Sequence, residues 1–145
     1  MALTTFGAIM GFAAGMAAKT CEYYKELAAR ATDAALKGNI EELAREEAKT
    51  RARLEEMRRL NVTEMILEYV SGLHDEDYQI KVDVSDSPGD KKVLEAVVAL
   101  EEREKRFFSD ASDKVPLPEV ARYFRKMAAK KEQSLARLKA QFPGK

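Results

Sequence analysis

Three charged side chains fall where a helical protein keeps its core. Glu47, Glu101 and Lys131 each stand in phase with apolar neighbours at three- and four-residue steps, on three different helical stretches. Thr50 and Ser134 follow three residues after Glu47 and Lys131, which stacks a hydroxyl on the same face as each charge. Inward-facing carboxylates can ligate a hard cation or pair with an ammonium. Other chemistries lack their residues. With one histidine (His74) and one cysteine (Cys21), a multi-histidine metal site, a cysteine knuckle and an intramolecular disulfide are all excluded. No glycine-rich phosphate loop follows a strand, no nucleophile–base–acid set appears, and no Cys-x-x-Cys pair offers a rubredoxin-like module. Cys21 has no histidine placed to activate it and reads as a buried or half-buried bystander.

The elements that must position these residues are helices. The chain has 145 residues, 46% apolar and 34% charged, with only 7 glycines and 4 prolines among abundant Ala, Glu, Lys, Arg and Leu. That is one domain, 1–145, with a sizeable core. Its 25 basic and 25 acidic side chains cancel, so no nucleic-acid or polybasic membrane footprint exists at the level of the whole chain. The uncharged run 2–18 lacks a basic flank before Lys19 and is short of the ~20 residues that span a bilayer, so it reads as the start of a buried helix. The basic groups Arg51, Arg53, Arg58, Arg59 and Lys126, Lys130, Lys131 alternate with acids and read as solvated helix faces. A reducing cytoplasm suits the lone cysteine.

The patterning predicts four long helices, at about 5–36, 40–60, 91–113 and 118–141, joined by a crossover over 61–90. The first carries Met10, Ala13, Ala17, Thr20, Tyr24 and Leu27 on its inner stripe. Gly38 is expected to end it in a left-handed conformation, with Asn39 capping the next helix and Glu42 completing an Asn-x-x-Glu box. The second stripe is Ile40, Leu43, Glu47, Thr50, Leu54 and Met57. Asn61 and Glu64 are expected to cap a short crossover helix through Met65, Ile66, Tyr69 and Val70, followed by a strand-like Tyr78–Val82. In the third helix Leu94, Val97, Val98, Glu101, Lys105 and Phe108 are in phase. In the fourth, after Pro118 in the first turn, the inner residues are Val120, Phe124, Met127, Lys131, Ser134 and Leu138. Short 1–2 and 3–4 links with one long 2–3 link make an all-α four-helix bundle. The two hairpins align without a gap at a shift of 84 residues: Tyr23-Tyr24 meets Phe107-Phe108 and Ala52-Arg53-Leu54 meets Ala136-Arg137-Leu138.

A duplicated hairpin carrying Tyr23-Tyr24-x-x-Leu27-Ala28, then Leu43-Ala44-Arg45-Glu46-Glu47, then Glu101 seven residues before Phe108, resembles the rubrerythrin branch of the ferritin-like family. The resemblance implies a ferritin-like bundle holding two metal ions. The ligands are a glutamate from each of two helices and a Glu-x-x-His motif from each of the other two. Carried over by position, only Glu47 and Glu101 remain. The other ligand positions are Ala17, Thr50, Lys131 and Ser134, and His74 lies in the crossover. The resemblance therefore implies a degenerate di-iron site with no resident cofactor and no catalytic residues, and a non-catalytic, self-associating or partner-binding role. Its counterpart is an iron- or manganese-dependent oxidoreductase using a rearranged carboxylate site for peroxide or oxygen. Relatives commonly self-associate, so a homodimer is expected, and Gly7, Gly11 and Gly15 would let another backbone approach the first helix.

Two arrangements are open to the surviving charges. Lys131 can supply the cation that Glu47 and Glu101 need, with Thr50, Ser134 and Tyr24 lending hydroxyls. Otherwise Lys131 snorkels to water and leaves the glutamates partly exposed. Two carboxylates against one ammonium leave a charge over, to be met by a proton or another partner. Glu22, Glu26, Glu46, Glu104 and Glu132 flank the inner stripes and are expected on solvated faces.

Overall fold

A computed structural model describes residues 2–61, 72–80, 82 and 89–143. Four helices account for most of them: α1 (Phe6–Arg30), α2 (Ala34–Leu60), α3 (Gly89–Ser112) and α4 (Pro118–Gln141). Among the described residues a 3-10 turn, Asp75–Tyr78, precedes α3. α1 packs along α2, α3 packs along α4, and α1 closes on α3. The 84-residue shift puts the start of α2, Ala34, on the start of α4, Pro118. None of the described helices is long and apolar enough to cross a membrane.

The first boundary differs from the expected one. α1 ends at Arg30, not near Leu36, and Ala31 is extended. Asp33 caps α2 by accepting from the Leu36 amide at 3.0 Å. Asp90, at the start of α3, holds the link: its carboxylate accepts from the Thr32 amide and hydroxyl, both at 2.8 Å, and from the Asp33 amide at 2.9 Å. Gly38 is therefore an ordinary residue of the α2 interior. Asn39 is no cap, since its side-chain amide donates to the Ala35 carbonyl. The distant Asp90 outweighs the local glycine signal. Asn61 closes α2, donating from backbone and side chain to the Met57 carbonyl. The crossover helix expected at Met65–Val70 lies outside the described residues. Where a strand was expected, Tyr78 ends the 3-10 turn, and residues 79, 80 and 82 have no regular structure.

The docked part of the crossover is anchored through α3. Arg103 is buried and donates to the Tyr78 carbonyl at 2.9 Å, and Tyr78 donates its hydroxyl to Asp110 at 2.6 Å. The Tyr78 ring meets Phe107 edge-on at 5.1 Å, with the Arg106 guanidinium over its face.

The core has three layers along the bundle. At one end Phe6, Met10, Leu54, Phe107, Phe108 and Phe124 pack together. At the other, Tyr24, Leu27, Leu36, Ile40, Val97 and Leu138 do so. Each helix contributes its middle residues to neither cluster, and those residues are the polar ones: Thr20, Glu47, Thr50, Glu101, Glu104, Lys131 and Ser134, all buried.

Candidate functional site: a buried charge cluster at the bundle centre

Apolar layers on both sides dictate what this middle layer must do. A charge taken out of water is tolerated only with a partner close by, because desolvation costs several kcal/mol per ion. The phase of α2 brings in Glu47, that of α3 brings in Glu101 and Glu104, and that of α4 brings in Lys131. The Lys131 ammonium lies 2.5 Å from Glu47 Oε1, 2.8 Å from Glu101 Oε2 and 3.1 Å from Glu104 Oε1. The Lys131 side chain is 7% exposed and all three glutamate side chains are fully enclosed. Lys131 thus takes the first of the two arrangements: it turns inward, not to solvent. Its membership of a solvated basic face is corrected accordingly.

Glu104 is the residue that the sequence reading misplaced. Periodicity alone expects it on a solvated face, with Lys105 on the inner stripe. The structure reverses them: Glu104 is buried, while Lys105 is half-exposed and faces Glu132 at 3.7 Å. The repeat held the missing signal. Glu104 is equivalent to Thr20 under the 84-residue shift, and Thr20 was already on an inner stripe. Glu22, Glu26, Glu46 and Glu132 are exposed, as expected.

The hydroxyls divide. Ser134 donates to Glu101 Oε1 at 3.3 Å. Thr50, expected to join the cluster, instead donates to the Glu46 carbonyl of its own helix at 3.0 Å. The Tyr24 hydroxyl is buried next to the cluster and has no hydrogen-bond partner. Ala17 is fully buried with no polar group to offer. Thr20 accepts from Arg103 at 2.8 Å, which brings a second cation to the edge of the layer. Cys21 is buried and donates to the Ala44 carbonyl at 3.3 Å. His74 is exposed, bridged to Ala2 at the chain surface and remote from the cluster.

Electrostatics assign the protons. Burial pushes the Glu47 carboxyl well above the usual range, and the neighbouring Glu104 charge pushes it further. Burial also raises Glu101, with Lys131 pulling against it. Burial would raise Glu104 as well, but the Lys131 ammonium, with Glu47, Thr20 and Arg103 beside it, holds it below the ordinary value. Lys131 loses from burial and gains more from Glu104, Glu47 and Glu101, so its pKa ends well above that of a free lysine. Burial, then Glu101, raises the Tyr24 hydroxyl. Burial thus favours a proton on Glu47, while the cations beside Glu104 favour its ionised form and the three carboxylates favour that of Lys131. A neutral sum is what a low-dielectric interior selects.

The donor set bears on metal binding. One oxygen from each of Glu47, Glu101 and Glu104 lies within 4.8 Å of the others, a spacing that suits a hard cation. The point they share is taken by the Lys131 ammonium. A pair of metal ions lacks ligands here: among the described residues no imidazole faces the layer, Thr50 bonds to its own helix, Ala17 offers no polar group, and the Lys131 ammonium already stands among the three carboxylates. No family model, curated protein or solved structure matches the chain, so the reading of this layer rests on its own geometry.

Proposed function

We propose that the chain is a rubrerythrin-like, ferritin-like protein in which a tethered ammonium has replaced the metal pair. In this reading it works in the cytoplasm as a non-catalytic helical protein, by self-association or by binding a protein partner. The observation that carries the reading is the Lys131 ammonium within 3.1 Å of three buried glutamates. A lysine cannot change oxidation state or open a coordination site, so the layer supplies rigidity and specificity of packing in place of oxygen chemistry. The homodimer is proposed from α1. Gly15 is exposed, with no atom within 4 Å of where a Cβ would stand, and Gly11, Ala14 and Ala18 continue its small-residue face beside Arg58.

Metal content tests the reading. The purified chain, incubated with ferrous iron in air and desalted, is expected to hold well under one ion per chain and to show no new near-ultraviolet absorbance. About two ions per chain, the stoichiometry of a paired-metal site, would overturn it in favour of an iron- or manganese-dependent oxidoreductase acting on peroxide or oxygen. Light scattering is expected to give twice the 16.3 kDa chain mass.

A further inference from the structure

The central layer is not sealed on all sides. Between α2 and α4 a cleft of about 260 Å³ leads from solvent down to Lys131, Glu101 and Ser134. Lys49, Lys126 and Lys130 stand at its mouth, all exposed. None of the three has an ion-pair partner among the described residues, whereas Arg53 beside them is paired with Glu56. Glu46 is the lone carboxylate at the mouth. The wall carries the half-buried Tyr123, whose hydroxyl is able to donate, and below it the buried Ser134, whose hydroxyl is given to Glu101.

Three ammonium groups gathered on one opening repel one another, and in an exactly balanced chain of 25 basic and 25 acidic residues they are not the spill-over of a general positive charge. Low-dielectric walls concentrate their field inside the cleft. The contents of the mouth are cationic and its wall donates hydrogen bonds, which is the complement of a small oxyanion. We propose that this cleft binds a small phosphate dianion, free or carried as the monoester of a small metabolite. The ammonium groups of Lys49, Lys126 and Lys130 neutralise it, and the Tyr123 hydroxyl orients it. The volume admits one phosphoryl group with a few attached atoms and excludes a nucleic-acid strand. The proposal stands apart from the reading of the central layer, since Lys131 remains paired with its glutamates throughout.

The test is a calorimetric and amide-NMR titration of the full chain with inorganic phosphate and, separately, with glycerol phosphate, at constant ionic strength set with chloride. Saturable binding with shifts confined to residues 46–53 and 123–134 is expected. Lys126→Gln with Lys130→Gln should weaken it at least tenfold, and the exposed lysines of a control pair, Lys25→Gln with Lys37→Gln, should not. Tighter binding of glycerol phosphate identifies an esterified ligand and equal binding a free one; both support the site. Linear, unsaturable shifts would overturn it. So would equal weakening by the control pair, or binding seen only with a single-stranded oligonucleotide. Circular dichroism on each variant keeps loss of binding separate from loss of fold, because all four lysines are exposed.

Discussion

Replacing Lys131 by methionine keeps the length and volume of the side chain and removes only its charge. Lys131 touches three carboxylates, at 2.5, 2.8 and 3.1 Å, and all three are enclosed. Removing one partner of a buried ion pair costs about 3–5 kcal/mol, because the charges left behind are unpaired in low dielectric. The cost cannot grow in proportion to the three contacts, since the glutamates escape by taking up protons. For a domain of this size 3–5 kcal/mol lowers the melting temperature by about 10–20 °C. The loss should depend on pH in a definite sense. Without the ammonium, Glu47, Glu101 and Glu104 all have folded pKa values above their unfolded ones. The folded state then binds more protons, and its stability is greatest below the unfolded carboxylate pKa and falls as pH rises. Urea and thermal denaturation of Lys131→Met at pH 5 and pH 7.5 should therefore show the larger deficit at pH 7.5. Adding Glu101→Gln to Lys131→Met should recover part of the loss, since it removes a carboxylate whose cation at 2.8 Å is gone. A deficit below about 1 kcal/mol at pH 7.5, the worth of an ordinary exposed pair, would refute the central ion cluster. A deficit equal at both pH values would refute the assignment of its protons.

In the unaltered protein the raised Glu47 carboxyl stabilises most below its unfolded pKa and loses that contribution as pH rises through its folded value. Chemical denaturation should show stability falling above the ordinary carboxylate range, by about 1.4 kcal/mol per pH unit while one proton is being lost. The lowered Glu104 carboxyl has the opposite sign: its contribution is full above its unfolded pKa and is lost as pH falls through the folded one, which sets the acid limb. Gly38→Ala should stabilise by about 0.5–1 kcal/mol, as in any open helix interior, because nothing lies within 4 Å of the added methyl; a loss of stability would restore Gly38 as a left-handed helix stop. Arg103→Lys gives up the fork that reaches both the Tyr78 carbonyl and Thr20. It should cost about 1.5–3 kcal/mol, the worth of charged hydrogen bonds, and hydrogen exchange should quicken at residues 75–78.

Helix existence and facing were legible from periodicity. Every residue placed on the inner stripes of α1, α2 and α4 is buried, because apolar residues on both sides of the polar middle fix the phase of each of those faces. The third stripe failed at one step: after Glu101 the pattern offers Glu104 and Lys105, both charged, and local hydrophobicity has nothing to choose between them. The choice is made by Lys131 on α4 and Arg103 on the same helix, 27 residues and one residue away, which give Glu104 its cations. The α1–α2 boundary was misread for a related reason. Gly38 is a local signal, and the real break is fixed by Asp90, 58 residues on from Thr32. Both misreadings turn on a carboxylate, Glu104 or Asp90, whose partner lies on another element.

The repeat gives this cluster its physical sense. Glu47 and Lys131 occupy equivalent positions 84 residues apart, and they meet. Two like residues there would put two like charges in contact between apolar layers, an arrangement that holds only with added counter-ions. Opposite residues turn that repulsion into an attraction and remove the need for anything from solution. The rest of the layer follows from the same asymmetry. Opposite Glu101 and Glu104 on α3, the equivalent positions on α1 are Ala17 and Thr20, one small and one a hydrogen-bonding hydroxyl. Carboxylates on both helices would exceed the positive charge that Lys131 and Arg103 provide; small residues on α1 leave room for the pair on α3. A glutamate introduced at Ala17 should therefore destabilise the fold unless a divalent cation is supplied. Measuring whether manganese recovers the melting temperature of Ala17→Glu in the Lys131→Met background, and not of Ala17→Glu alone, would show that the ammonium and the metal compete for one place.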